Sequence, residues 1–100
     1  MIPGTTPTYR FKVDCDLTDL KQVCVAFAQN GKCLVTKMKD ACVLEGDAVE
    51  TTLTQEESFR FVPDMNAQVQ ILFLDQTGKK WGTRIKKIPV ERSLYLEVLE

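Results

Sequence analysis

The hundred-residue chain contains no histidine. That removes the Ser-His-Asp and Cys-His arrangements and the imidazole ligands of most zinc sites, so any catalysis would rest on carboxylates and lysines. The five glycines are scattered singly, which leaves no Gly-rich loop to cradle a phosphate. Ser58 and Ser93 stand outside any G-x-S-x-G context. No apolar run approaches the ~20 residues that cross a bilayer as a helix. Residues 1–8 (MIPGTTPT) lack the basic and apolar regions of a secretion signal, so the chain is expected in a cytosol until it is assembled. A net charge of -1 gives no global pull toward nucleic acid or an acidic membrane.

What is present is the composition of one soluble globular domain, 44% hydrophobic and 27% charged, with length enough for an ordinary core. The four cysteines, Cys15, Cys24, Cys33 and Cys42, fall nine apart. They form no C-x-x-C pair and have no zinc-ligand spacing, so free, half-buried thiols are expected.

The strongest local signal is Gln22 to Met38 (QVCVAFAQNGKCLVTKM), where Asn30-Gly31 separates two strand-forming runs. Both central residues of a type I′ turn need positive φ, which Asn and Gly tolerate. A two-residue loop sets Gln29 opposite Lys32, Phe27 opposite Leu34, Val25 opposite Thr36 and Val23 opposite Met38, all on one face. That face is the expected core, with Cys33 and Val35 turned outward. Cys24 and Cys33 are then offset by four residues, roughly 13 Å, too far for a disulfide.

Around this hairpin the sequence predicts a strand at 8–14, with Tyr9, Phe11 and Val13 inward, and a capped helical turn after Asp16 or Thr18, with Leu17 and Leu20 plugging the core. Short strands follow at 41–45 and 48–53, joined by a turn at Gly46-Asp47. Thr54-Gln55-Glu56-Glu57 has capping-box spacing, which predicts one helical turn near Gln55 to Ser58. A strand over 66–75 places Ala67, Val69, Ile71 and Phe73 inward and leaves Leu72 and Leu74 outward. After a turn at 75–78 comes a last strand with Trp81, Thr83 and Ile85 in phase. There the apolar set slips to Ile88 and Val90, which signals a β-bulge near Lys86 and Lys87.

Seven short strands with turns every eight to twelve residues describe an all-β, immunoglobulin-like antiparallel sandwich over residues 1–90, the first seven forming an arm. The antibody-type disulfide and its packing tryptophan are absent, and another seven-strand sandwich or a small open barrel stays open. Residues 91–100 (ERSLYLEVLE) lie beyond that count. Leu94, Leu96 and Val98 alternate as a strand would, whereas Tyr95, Val98 and Leu99 would share a helical face.

Glu56 and Glu57 sit where a helix N-terminus favours negative charge anyway. Asp14, Asp16 and Asp19 lack the glycine and terminal glutamate of an EF-hand and read as loop caps. Lys79, Lys80, Arg84, Lys86, Lys87 and Arg92 surround Trp81, but lysines commonly guard an edge strand, which makes nucleic-acid binding the lesser reading. Leu72 and Leu74, joined by Cys33 and Val35 across a sheet shared by the third, sixth and seventh strands, form a candidate apolar outer patch.

The segments IPGTTPT, DLTDLKQVCVAFAQNGK, TLTQEES and DQTGKKW together resemble a group of small proteins encoded among bacteriophage and prophage tail genes. More remotely, the pattern is similar to the N-terminal domain of phage baseplate upper proteins. The resemblance implies an immunoglobulin-like sandwich with a structural or interaction role in a tail or baseplate, in the virion or in the host cytoplasm before assembly. It supplies no catalytic residues. The expectation is a non-enzymatic protein without cofactor or metal, partnered by itself as a homo-oligomer or by another tail protein, and not by a membrane. The candidate interface is Cys33, Val35, Leu72, Leu74, Leu94, Tyr95, Leu96, Val98 and Leu99. The alternative is a module that binds a host-surface polymer through loops such as 14–21 and 75–78.

Overall fold

Asn30 and Gly31 take φ of 53° and 77°, so the predicted two-residue turn forms and seats Gln29 opposite Lys32. The computed structural model describes residues 1–99; Glu100, the last residue of the C-terminal segment, lies outside the described residues. The strands are β1 (Thr8–Lys12), β2 (Leu20–Gln29), β3 (Lys32–Met38), β4 (Val43–Glu45), β5 (Ala48–Thr52), β6 (Ala67–Asp75), β7 (Lys80–Gly82) and β8 (Lys86–Ile88). A single turn of helix, α1 (Gln55–Ser58), separates β5 from β6.

The strands make two antiparallel sheets, ordered β1-β5-β4 and β3-β2-β6-β7, with β8 also paired to β6. Packed face to face they form an all-β sandwich. The strand order has its own character. In a constant-type immunoglobulin domain the second strand joins the first, fourth and fifth, whereas here β2 lies between β3 and β6.

Alternation decides which residues meet in the middle. Val23, Val25 and Phe27 of β2 and Val69, Ile71 and Phe73 of β6 are buried in one core with Phe11 and Val49 of the smaller sheet and Leu53 just past β5. Each such side chain contributes roughly 1.5–3 kcal/mol on leaving water. Leu17 and Leu20 close over the core as predicted. The expected helix after Asp16 does not form. Asp16 instead accepts hydrogen bonds from the N–H and hydroxyl of Thr18, 3.0 and 2.7 Å, a local turn that competes with a helix start.

The hairpin register holds only near its turn. Ala28 pairs with Cys33, but Phe27 pairs with Val35, Val25 with Lys37 and Cys24 with Met38, because Leu34 is an extra residue on β3. This bulge corrects the expected pairings of Phe27 with Leu34 and of Val25 with Thr36. It also overturns the outward placement of Val35, which is buried in the core, and leaves Leu34 only half-buried. The Leu34 carbonyl accepts from Arg60, 3.1 Å, and the shift directs Lys37 toward Glu57. Alternation could not find the bulge, since Leu34 and Val35 are both apolar and lie on opposite parities.

The predicted capping box is present. Thr54 Oγ1 accepts from the Glu57 N–H, and Glu57 Oε1 accepts from the Thr54 N–H. Glu57 also pairs with Lys37 Nζ at 2.6 Å, both side chains mostly covered. Burial alone would raise the Glu57 carboxyl, but the Lys37 hydrogen bond and charge and the Thr54 amide outweigh it and hold it below the usual range. A carboxyl depressed in the folded state stabilises fully above its unfolded pKa of about 4.3 and loses that contribution as pH falls through the folded value. Urea midpoints should therefore drop on acidification below about pH 5, and Glu57→Gln should flatten that drop. An unchanged slope in the variant would remove Glu57 from the acid response.

The arm is a turn docked on α1 rather than a free end. Gly4 N–H donates to the fully buried Ser58 Oγ, 2.9 Å, and the same hydroxyl donates to the Thr5 carbonyl, 2.7 Å. Gly4 has φ of +85°, and a Cβ there would lie 2.5 Å from Phe59 Cζ. Gly4→Ala should cost roughly 1–3 kcal/mol, read as a lower denaturant midpoint.

Candidate interaction face

Because Val23, Val25 and Phe27 point inward, Gln22, Cys24, Ala26 and Ala28 of β2 point outward, and β6 presents Gln68, Gln70, Leu72 and Leu74 beside them. The pairing lines these up in rows across the sheet. Leu72 sits between Gly82 and Cys24, and Cys24 is followed by Met38; Gln70, Ala26 and Thr36 form the next row, and Gln68, Ala28 and Cys33 the one beyond. Leu72 folds over Gly82 so closely that a Cβ there would meet its Cδ2 at 2.6 Å. Leu72 is 44% exposed and Leu74 half-buried, so both point outward as expected. The predicted patch is interrupted, since β2 separates β3 from β6 and supplies the small residues between them.

A shallow cavity of about 430 Å³ opens against Cys24, Leu72, Leu74, Trp81 and Gly82, with Gln22 and Lys80 at its edge. A second, of about 240 Å³, lies against Ala26, Ala28, Cys33, Gln68, Gln70 and Ile85. Ile85 is the surprise there. Expected inward with Trp81, it is 57% exposed. The cause is Thr83, whose N–H donates to the Ile71 carbonyl while its Oγ1 accepts from the Ile71 N–H, 2.9 and 3.1 Å. The hydroxyl takes the place of a backbone partner, the strand breaks between β7 and β8, and pairing to β6 resumes one residue out of step. The predicted slip is real, but it falls at 83–85 rather than at Lys86 and Lys87.

Met38 likewise joins this face, 39% exposed beside Cys24, instead of facing Val23. Its phase was hidden by the bulge at Leu34. Cys33 is exposed on the face, while Cys15, Cys24 and Cys42 are half-buried, and all four are free thiols. Burial raises the Cys24 and Cys42 thiols, which disfavours the thiolate.

Residues 91–99 form neither strand nor helix. Their root is fixed: Glu91 N–H donates to the Met1 carbonyl, 2.7 Å, the Asp64 N–H donates to Val90, and Arg92 pairs with Asp64. Their far end is held by one side chain, Gln55, which donates to the Leu99 carbonyl and accepts from the Leu99 N–H, 2.8 and 2.7 Å. Between these ties Leu94 is 100% exposed and Leu96 76%, with Tyr95, Val98 and Leu99 also open to water.

The remaining candidate groups behave as structure. Asp75 Oδ1 accepts from the Thr77 hydroxyl and N–H and from the Lys79 N–H, which builds the predicted turn and holds its carboxyl low. Among the described residues, no group of three or more acidic or cysteine side chains is placed to share a metal ion. Trp81 stacks on Phe73 at 5.5 Å and lines a cleft between the sheets with Lys12, Arg84 and Lys86. No protein-family model matches this chain, and neither a curated protein nor a solved structure matches it.

Proposed function

We propose that this chain is a non-enzymatic assembly module of a bacteriophage or prophage tail or baseplate, joined to its neighbours through the outer face of the larger sheet and residues 91–99. The assignment to a tail rests on the resemblance carried together by IPGTTPT, DLTDLKQVCVAFAQNGK, TLTQEES and DQTGKKW. One observation carries the assembly role: five large apolar side chains, Leu94, Tyr95, Leu96, Val98 and Leu99, are exposed within six residues, and Leu72, Met38 and Ile85 are exposed on one sheet face. Soluble chains rarely leave so much apolar surface uncovered without a partner. The test is light scattering on the full chain and on a truncation after Val90. The full chain should be oligomeric and the truncation monomeric but folded; two monomers with no apolar dye bound would end the self-assembly reading.

A second reading has the Trp81 cleft behind it, where Lys12, Arg84 and Lys86 outnumber the one carboxylate, Asp14, around an aromatic wall. Binding of an anionic host-surface polymer there requires retention on a polyanion column that added salt and Trp81→Ala both abolish. Without such retention, the assembly reading stands alone.

A further inference from the structure

Resting on that assembly reading, we infer that the occupant of the outer sheet face is the C-terminal segment of a second copy of this chain. Three observations converge. The segment is apolar and acidic at once: Leu94, Leu96 and Val98 fall on one side of an extended chain, while Glu91 and Glu97 carry negative charge and Arg92 is already paired with Asp64. The face is its complement. Its outward positions from Gln22 to Ala28 on β2 and from Gln68 to Leu74 on β6 are uncharged, with Leu72 and Met38 exposed. Its border is mainly basic, with Lys21 on β2, Lys80 opposite Leu74 and Lys87 opposite Gln68 against the single carboxylate of Asp40 beside Gln22 and Met38. Finally, the segment leaves its own domain's face uncovered, because Gln55 holds Leu99 beside α1 and Leu94 stays fully exposed.

The seven residues from Ser93 to Leu99 reach about 23 Å when extended, long enough to cross the rows from Lys87 to Lys80. Release breaks the two Gln55 hydrogen bonds and uncovers the partly covered Val98 and Tyr95. A reciprocal exchange, each copy's segment on the other's face, closes a two-fold dimer and buries both apolar sets at once.

The experiment places photocrosslinking benzoylphenylalanine at Leu96, on the apolar side of the segment, in the full chain and mixes it with a size-tagged unmodified copy. The expected product joins the two copies and maps to peptides of β2, β3 or β6 around Cys24, Met38 and Leu72. Light scattering on the same mixture separates the failures. Crosslinks confined to one chain, or to another surface of the tagged copy, in a sample that scatters as an oligomer, overturn this inference and leave the assembly reading intact. A monomer with no intermolecular product overturns this inference and self-assembly together.

Discussion

Gln29→Leu should lower the stability of this domain by roughly 3–5 kcal/mol, the largest effect expected from any single substitution outside the apolar core. Gln29 is buried at the end of β2, and its amide serves three backbone groups: Nε2 donates to the carbonyls of Val62 and Met65, 2.8 and 3.0 Å, and Oε1 accepts from the Val62 N–H at 2.7 Å. Leucine fills similar volume but satisfies none of them, and each orphaned group costs about 1–3 kcal/mol where water cannot replace the amide. The segment after α1 carries Phe61 into the core, so losing its anchor also loosens that plug. A urea midpoint equal to wild type would show that the segment is held by Phe61 alone. Faster amide exchange at 62–65 with an unchanged midpoint would place the loss locally rather than globally.

Leu72→Glu should leave the fold nearly intact and weaken self-association by about 30-fold or more, the effect of losing a central contact worth about 2 kcal/mol. Leu72 is the largest exposed apolar side chain on β6, seated on Gly82 beside Cys24 at the centre of the outer face. A carboxylate there puts a charged, solvated group beneath the apolar side of an arriving segment, where a methyl cluster was. The backbone pairings of Leu72 with Cys24 and Gly82 do not depend on its side chain, so stability should move by no more than about 1 kcal/mol. Sedimentation across a concentration series reads the association, and an unchanged curve would take the face out of the interface.

Most of the strand layout was legible because it rests on local chemistry. Asn30-Gly31, the Thr54 capping box and the DQTG turn each satisfy their own backbone groups within a few residues, and each forms as expected. The inward sets of β2 and β6 were readable because period-two alternation runs unbroken through both. What the sequence concealed is non-local. The bulge at Leu34 is met by contacts from far along the chain, Arg60 to the Leu34 carbonyl and Glu57 to Lys37, about twenty or more residues away. The break at Thr83 depends on its hydroxyl meeting Ile71. Those two events moved Val35 inward and brought Met38 and Ile85 to the surface, so the candidate face kept Cys33, Leu72 and Leu74 and changed at its margins. Gln29 looked like an ordinary hairpin residue, because nothing near it in sequence announces that its partners lie at 62–65.

The most direct measurement is amide hydrogen exchange of residues 93–98 as a function of protein concentration. Among the described residues none of these N–H groups donates to a backbone carbonyl, so in dilute solution they should exchange at close to the unprotected rate. If the segment and the outer face form the interface, protection of these amides should rise with concentration in step with oligomer mass. Amides at 93–98 that stay unprotected while the protein is oligomeric would contradict the account.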